Sequence, residues 1–139
     1  MPRFGAISQV NLSSCHPKLQ RIMNEVIRRV PAEMDFSVTC GHRGQEAQEA
    51  AYFAKPQRST KRWPDSLHNQ VPSPAVDLAP HPVDWHDAAA FARLAGYVQA
   101  VADELGIRIR WGGDWNGNGR TRDERLVDLP HFELAPEER

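Results

Sequence analysis

The chain has 139 residues, 40% of them apolar, with 17 basic side chains against 18 acidic ones and a net charge of −1 when the histidines are neutral. That length suits one compact core, and the balanced charge lacks the positive field that non-specific nucleic-acid binding needs. No apolar run approaches the roughly 18 residues of a membrane span, and the start, MPRFGAISQV, lacks a basic segment followed by an apolar run. The expectation is a soluble monomer made in the cytoplasm, without a signal peptide, membrane anchor or nucleic-acid partner. Cys15 and Cys40 are too few for a disulfide scaffold and form no C-x-x-C pair, so reduced thiols acting as small buried apolar groups are expected.

Leu19, Ile22, Met23, Val26, Ile27 and Val30 follow the spacing of one helix face, with Pro17 suited to the first turn and Pro31 to the end. DFSVTC then alternates Phe36, Val38 and Cys40 with polar neighbours until Gly41, which reads as a half-buried strand. GQEAQEAAYFAK is rich in helix formers and predicts a helix over Gln45 to Lys55, stopped by Pro56. An exposed basic loop from Pro56 to Pro64 follows. AVDLA reads as a short buried strand closed by PHP. Phe91, Leu94, Ala95, Val98, Val101, Ala102 and Leu105 form the stripe of a long helix, with Asp84 as expected cap and Gly106 as terminator. IRIRW and HFELA alternate like strands of one sheet, and the glycine- and asparagine-rich stretch between them suits tight turns. The order predicts a single α+β domain over 1–139, with a small, mostly antiparallel sheet packed against about three helices.

Six histidines are present, and a lone histidine is more often hydrogen-bonded or exposed than a ligand. His68 and His131 differ from the rest because each stands in a short apolar setting with an acid close by, Asp77 after the first and Asp128 before the second. A catalytic zinc site takes three nitrogen or oxygen ligands and keeps one position open for water, which His68, Asp77 and His131 would satisfy. Asp128, tied to the segment of His131, is a candidate for the base that takes the water's proton, although an aspartate before Leu-Pro also suits a turn. Arg43 could serve catalysis or pair with Glu46. Trp111 and Trp115 suit packing and a cleft wall, where aromatic edges could bind peptide or sugar. Glu133 could orient a ligand histidine or face solvent. Asp114, Asn116, Asn118 and Gly119 match the first positions of a calcium loop, but Arg125 stands where its glutamate belongs. A structural Ca2+ there would need Asp123 or Glu124 instead, and a tight hairpin is the plainer expectation.

SLHNQVPSPAVDL resembles the S-x-H-x-x-G-x-A-x-D motif of zinc peptidases that include VanY-like D-alanyl-D-alanine carboxypeptidases and phage-endolysin L-alanyl-D-glutamate endopeptidases. DLPHFEL resembles that family's second signature, VTCGHRGQEAQEAAY its upstream arginine segment, and RWGGDW its strand before the base-bearing turn, so the resemblance covers about residues 36–134 in order. It implies His68, Asp77 and His131 as Zn2+ ligands, Asp128 as general base and acid, Arg43 as the cation polarising the scissile carbonyl, and Ser66 as a residue that helps position substrate; Trp111, from its aromatic edge, is the other substrate-binding candidate. One departure stands out: His68 and Asp77 are nine positions apart rather than seven, with Ser73 in place of the glycine. The implied activity is hydrolysis of the peptidoglycan stem peptide. The absence of a signal sequence favours an endolysin-type enzyme of a phage or prophage, held in the host cytoplasm until lysis. A D-alanyl-D-alanine carboxypeptidase and a non-catalytic, zinc-stabilised wall-binding module are the alternatives.

Overall fold

The structure, a computed structural model, describes residues 1–120 and 127–139. Its helices are α1 (Ala6–Ser13), α2 (Pro17–Arg29), α3 (Gln45–Phe53) and α4 (Ala88–Leu105), and its strands β1 (Phe36–Cys40), β2 (Ala75–Pro80), β3 (Ile109–Trp111) and β4 (His131–Leu134). The strands form one antiparallel sheet in the order β1-β2-β4-β3. This is the expected α+β architecture, with one helix more than the apolar spacing announced.

One face of the sheet builds the core. Phe36 and Val38 of β1, Val76 and Leu78 of β2, and Phe132 and Leu134 of β4 pack in one apolar cluster with the buried stripes of α2 and α4. The two-residue period of a strand places the intervening residues on the opposite face, which in β2 and β4 puts Asp77, His131 and Glu133 there.

α2 begins at Pro17, with the His16 ring accepting from the backbone N–H of Lys18 as cap. α4 starts later than expected, because Asp87 rather than Asp84 supplies the capping oxygen, accepting from Ala90 N at 3.2 Å. Asp84 instead accepts from His86 N in the preceding turn. Gly106 ends α4 in the left-handed region at φ 70°, where a glycine carries no Cβ penalty. α3 stops at Phe53, two residues short of Lys55, since Ala54 is already extended.

α1 escaped the periodicity argument because only Ser8 and Leu12 of its residues are buried. Its attachment is polar: Ser8 Oγ accepts from Val38 N at 3.0 Å, and Asn11 Nδ2 donates to Val38 O at 2.8 Å. β1 is an edge strand, and these two side chains satisfy backbone groups that would otherwise invite another chain.

The β1–β2 pairing is irregular between Val38 and Cys40, so that Val38 faces Leu78 and Cys40 faces Asp77. Plain alternation would send Cys40 into the core beside Val38. The bulge instead rotates it to the Asp77 face, and the expectation of a small buried apolar group there gives way to a half-buried free thiol. Cys15 remains fully buried, as expected.

Ser8→Ala and Asn11→Ala are each expected to lower the unfolding free energy by about 1 kcal/mol, the typical net worth of one such hydrogen bond. Ile7→Ala and Val10→Ala, at 79% and 68% exposed, should change it by less than about 0.5 kcal/mol. Urea denaturation of the four variants checks this ordering.

Candidate functional site

Asp77 is the centre of a row across the sheet, opposite Cys40 on one side and His131 on the other. His68 reaches the same point from outside the sheet, on a 3-10 turn, Leu67–Asn69. Ser66 caps that turn: its Oγ accepts from His68 N, while its own N–H donates to Asn69 Oδ1 at 3.0 Å. Ser66 is itself nearly covered, so its structural role in holding His68 is plain.

The loop between His68 and Asp77 returns in register despite its extra length. Ser73 N donates to Ser14 O at 2.9 Å, and His16 N donates to Ser73 O at 2.8 Å. The turn between α1 and α2 therefore anchors the far end of the loop, just before β2 begins.

Asp77 Oδ1 lies 3.2 Å from His68 Nε2 and 3.3 Å from His131 Nδ1. Ligand atoms at about 2.0–2.1 Å from a tetrahedral zinc stand roughly 3.3–3.4 Å from one another, and each of these two ion pairs has about that separation. His68 Nε2 and Asp77 Oδ1 are also buried without a hydrogen-bond partner, an expensive condition for polar atoms unless something binds them.

The other nitrogen of each imidazole is engaged. His68 Nδ1 lies 2.7 Å from Gly41 O, which can only accept, so Nδ1 carries the proton and Nε2 presents its lone pair. His131 Nε2 lies 2.9 Å from Glu133 Oε1, and Glu133 is held in turn by Arg139 Nη2 at 3.1 Å. That arrangement turns the His131 Nδ1 lone pair towards Asp77. Glu133 thus orients His131 rather than facing solvent.

Charge at the cluster agrees with this reading. Burial disfavours charged imidazoles, but contacts with Asp77 outweigh it, helped by Cys40 at His68 and by Glu133 at His131. His68 rises to about 10 and His131 to about 9. Burial likewise disfavours the Asp77 carboxylate, yet the two histidines hold it well below the usual range. The site demands positive charge at its centre, and a divalent cation competes with protons for that place.

Cys40, His68 and Asp77 also form a possible metal-binding group, with one ligand atom from each within 4.8 Å of the others. The thiol lies 3.7 Å from His68 Nδ1, on the side of the ring turned away from Asp77 and already occupied by Gly41 O. Sequence reasoning missed Cys40 because the bulge that redirects it leaves no mark in the residue alternation.

Arg43 follows β1 and stands beside the row. Its Nη2 is 3.7 Å from Asp77 Oδ2 and 3.7 Å from Cys40 Sγ, and its Nη1 donates to Gln48 Oε1 at 3.0 Å. It turns to these groups rather than to Glu46. Asp128 sits where Gly112 N donates to His131 O and Asp128 N donates to Gly112 O, both at 2.8 Å. Its carboxyl is pushed upward by burial and by the charge of Asp77, with His131, His68 and Arg43 acting in the opposite sense. Asp128 therefore shares the electrostatic environment of the cluster. Gly112 permits this approach, since a Cβ there would stand 2.0 Å from Asp128 O.

Trp111 is nearly covered, donates from Nε1 to Leu129 O at 2.8 Å and stacks on Phe132, so its visible contacts are with the core. Trp115 brings its ring to within 5.4 Å of that of His131. His42, His81 and His86 are exposed, and together with His16 they stand outside the cluster. The Asp114 carboxylate accepts from Asn118 N at 3.2 Å and Gly119 N at 2.7 Å, which is hairpin chemistry. A calcium ion is unsupported there: among the described residues, the one group of three His, Cys, Asp or Glu side chains whose ligand atoms all lie within 4.8 Å of one another is Cys40, His68 and Asp77. Asp123, Glu124 and Arg125 lie outside the described residues.

The chain is similar to known proteins over nearly its whole length. The model of a family described as phage L-alanyl-D-glutamate peptidase matches residues 1–135. An L-alanyl-D-glutamate peptidase of Escherichia phage T5 is 32% identical over 139 residues, covering 96% of this chain and 98% of that protein. The crystal structure of the Serratia marcescens L-Ala D-Glu endopeptidase ChiX superposes with a TM-score of 0.71 at 30% identity, covering 96% of this chain and 90% of that one.

Gly41 admits no side chain, because a Cβ would meet Asn11 O at 2.2 Å and Ser14 Oγ at 2.3 Å. Gly41→Ala must therefore displace the carbonyl that fixes the His68 tautomer. Zinc affinity is expected to fall about 10- to 100-fold, as read by competition with a chromophoric chelator.

Proposed function

The chain belongs to the phage L-alanyl-D-glutamate peptidase family, and from that premise we propose that it is a zinc-dependent endopeptidase of the peptidoglycan stem peptide. In this reading His68 Nε2, Asp77 Oδ1 and His131 Nδ1 hold the ion. The observation that carries it is the placement of one carboxylate oxygen at 3.2 and 3.3 Å from two imidazole nitrogens whose opposite ring positions are already bonded.

Zn2+, when bound, supplies a Lewis acid that makes water more acidic and a carbonyl more electrophilic. Asp128 accepts the proton of the attacking water as its oxygen bonds to the amide carbon. Arg43 offers fixed positive charge to the carbonyl oxygen as it becomes an oxyanion, where a preorganised donor is worth most. When the carbon–nitrogen bond breaks, Asp128 delivers its proton to the leaving amine, and the new carboxyl group gives its remaining proton to solvent, leaving a free amine and a carboxylate. Ser66 serves this chemistry through the turn that carries His68. Trp111 supports the floor of the cleft through Leu129 and Phe132, and Trp115 forms its wall beside His131.

The relatives' names favour the L-alanyl-D-glutamate bond over the D-alanyl-D-alanine bond. No helix among the described residues is long and apolar enough to cross a membrane. The phage relative supports action on the cell wall at lysis, with the enzyme held in the host until then. A wall-binding module without catalysis would have no use for a base, so the role of Asp128 separates the two readings.

Asp128→Ala is expected to reduce hydrolysis of purified muropeptides about 100- to 10,000-fold while zinc content, measured by elemental analysis, stays at the parent level. Mass spectrometry of the parent's digest should show a newly freed glutamate amine. Release of D-alanine alone would instead assign the carboxypeptidase activity.

A further inference from the structure

Gln48 is fully buried, at 0% exposed, in the middle of α3. An amide so placed is costly unless both its oxygen and its nitrogen are satisfied. Here Oε1 accepts from Arg43 Nη1 at 3.0 Å and from Asn69 Nδ2 at 3.1 Å. Nε2 contacts Ser59 Oγ at 2.9 Å and donates to Lys61 O at 2.6 Å. The full hydrogen-bonding capacity of the amide is therefore in use, and its partners belong to three separate segments.

Those segments are the ones that carry the chemistry. Arg43 holds the guanidinium beside Asp77. Asn69 follows His68, donates also to Arg43 O at 3.0 Å and closes the capping box with Ser66. Arg43 N donates to His68 O at 2.6 Å, so backbone and side-chain links run in parallel between the two segments. Among the described residues, the guanidinium has only longer contacts at its other end, at 3.7 Å to Cys40 Sγ and Asp77 Oδ2. Among the described residues, Gln48 Oε1 is thus its one close polar side-chain contact.

We propose, on the peptidase reading above, that Gln48 is a positioning residue that sets the Arg43 guanidinium against the His68–Asp77 pair. It acts through Arg43 and touches neither substrate nor metal. Gln48→Met keeps the length of the side chain and removes all of its hydrogen bonding. Gln48→Glu keeps the acceptor for Arg43 and Asn69 but cannot donate to Lys61 O, so it separates the arginine tie from the tie to the 59–61 segment.

The test has two independent arms. In 15N-resolved NMR of the parent, assigned with Arg43→Lys, the Arg43 side-chain signals should show restricted rotation. They should average in Gln48→Met and stay restricted in Gln48→Glu. In kinetics on purified muropeptides, Gln48→Met should lower kcat roughly 10- to 100-fold, the range expected for a misplaced catalytic group, with KM within about twofold and zinc content unchanged. The Arg43→Ala/Gln48→Met double variant should be no slower than Arg43→Ala alone, because a residue acting through Arg43 has nothing to lose once it is gone. Unchanged Arg43 dynamics in Gln48→Met, or losses that multiply in the double variant, would overturn the proposal. A parent that leaves muropeptides intact would instead defeat the peptidase reading, and the NMR arm would still judge Gln48. Should Gln48→Met fail to fold, Gln48→Glu decides: a freely rotating Arg43 in that variant is the contrary result.

Discussion

The placement of Asp77 on the middle of an antiparallel sheet is the constraint from which the site follows. Its neighbours in sequence, Val76 and Leu78, are locked in the core against α2 and α4, so the two-residue period of the strand leaves the carboxylate no choice of face. A slip of one residue would bury Asp77 among apolar side chains and expose Leu78, a costly exchange that the core opposes. The register with β4 then delivers His131 directly opposite. Hydrophobic burial on one side of the sheet thereby fixes polar geometry on the other.

Around that centre, hydrogen bonds set atoms rather than merely residues. Gly41 O and Glu133 each engage one nitrogen of a histidine and so decide which nitrogen looks inward. Both partners are themselves fixed, the first by a close approach that tolerates no side chain and the second by Arg139. The result is that His68 Nε2 and His131 Nδ1 both face Asp77 Oδ1, and a cation entering there would displace their protons. The segments of Arg43 and His68 are joined by amides in the same manner, through Gln48 and Asn69.

The chain uses polar side chains where larger folds would use apolar packing. α1 is moored to β1 by Ser8 and Asn11, the loop before β2 is tied to the α1–α2 turn through Ser73, and the 59–61 segment hangs on Gln48. Such ties are directional and local, so they hold loops in one conformation at modest energetic cost. They also connect the periphery to the site: α1 and its turn reach Gly41, and Gly41 reaches His68.

The elements with an apolar period were legible in the sequence, because α2, α4, β2 and β4 form for reasons written in their own residues: a stripe, a cap, a stop. That His68, Asp77 and His131 would come together was also legible, through residue types and a family resemblance, and the structure brings the three side chains into contact. What lay outside that reach depended on contacts between distant segments. α1 carries no stripe, the bulge that turns Cys40 toward Asp77 arises from pairing with β2, and the helix of Gln48, though its glutamine matches the family's arginine segment, does not say which distant groups that amide joins. Local sequence determined which segments become helix or strand and which side chains can bind or ionise. Only the tertiary structure decided which of them meet, since hydrogen bonds across long stretches of chain have no period along it.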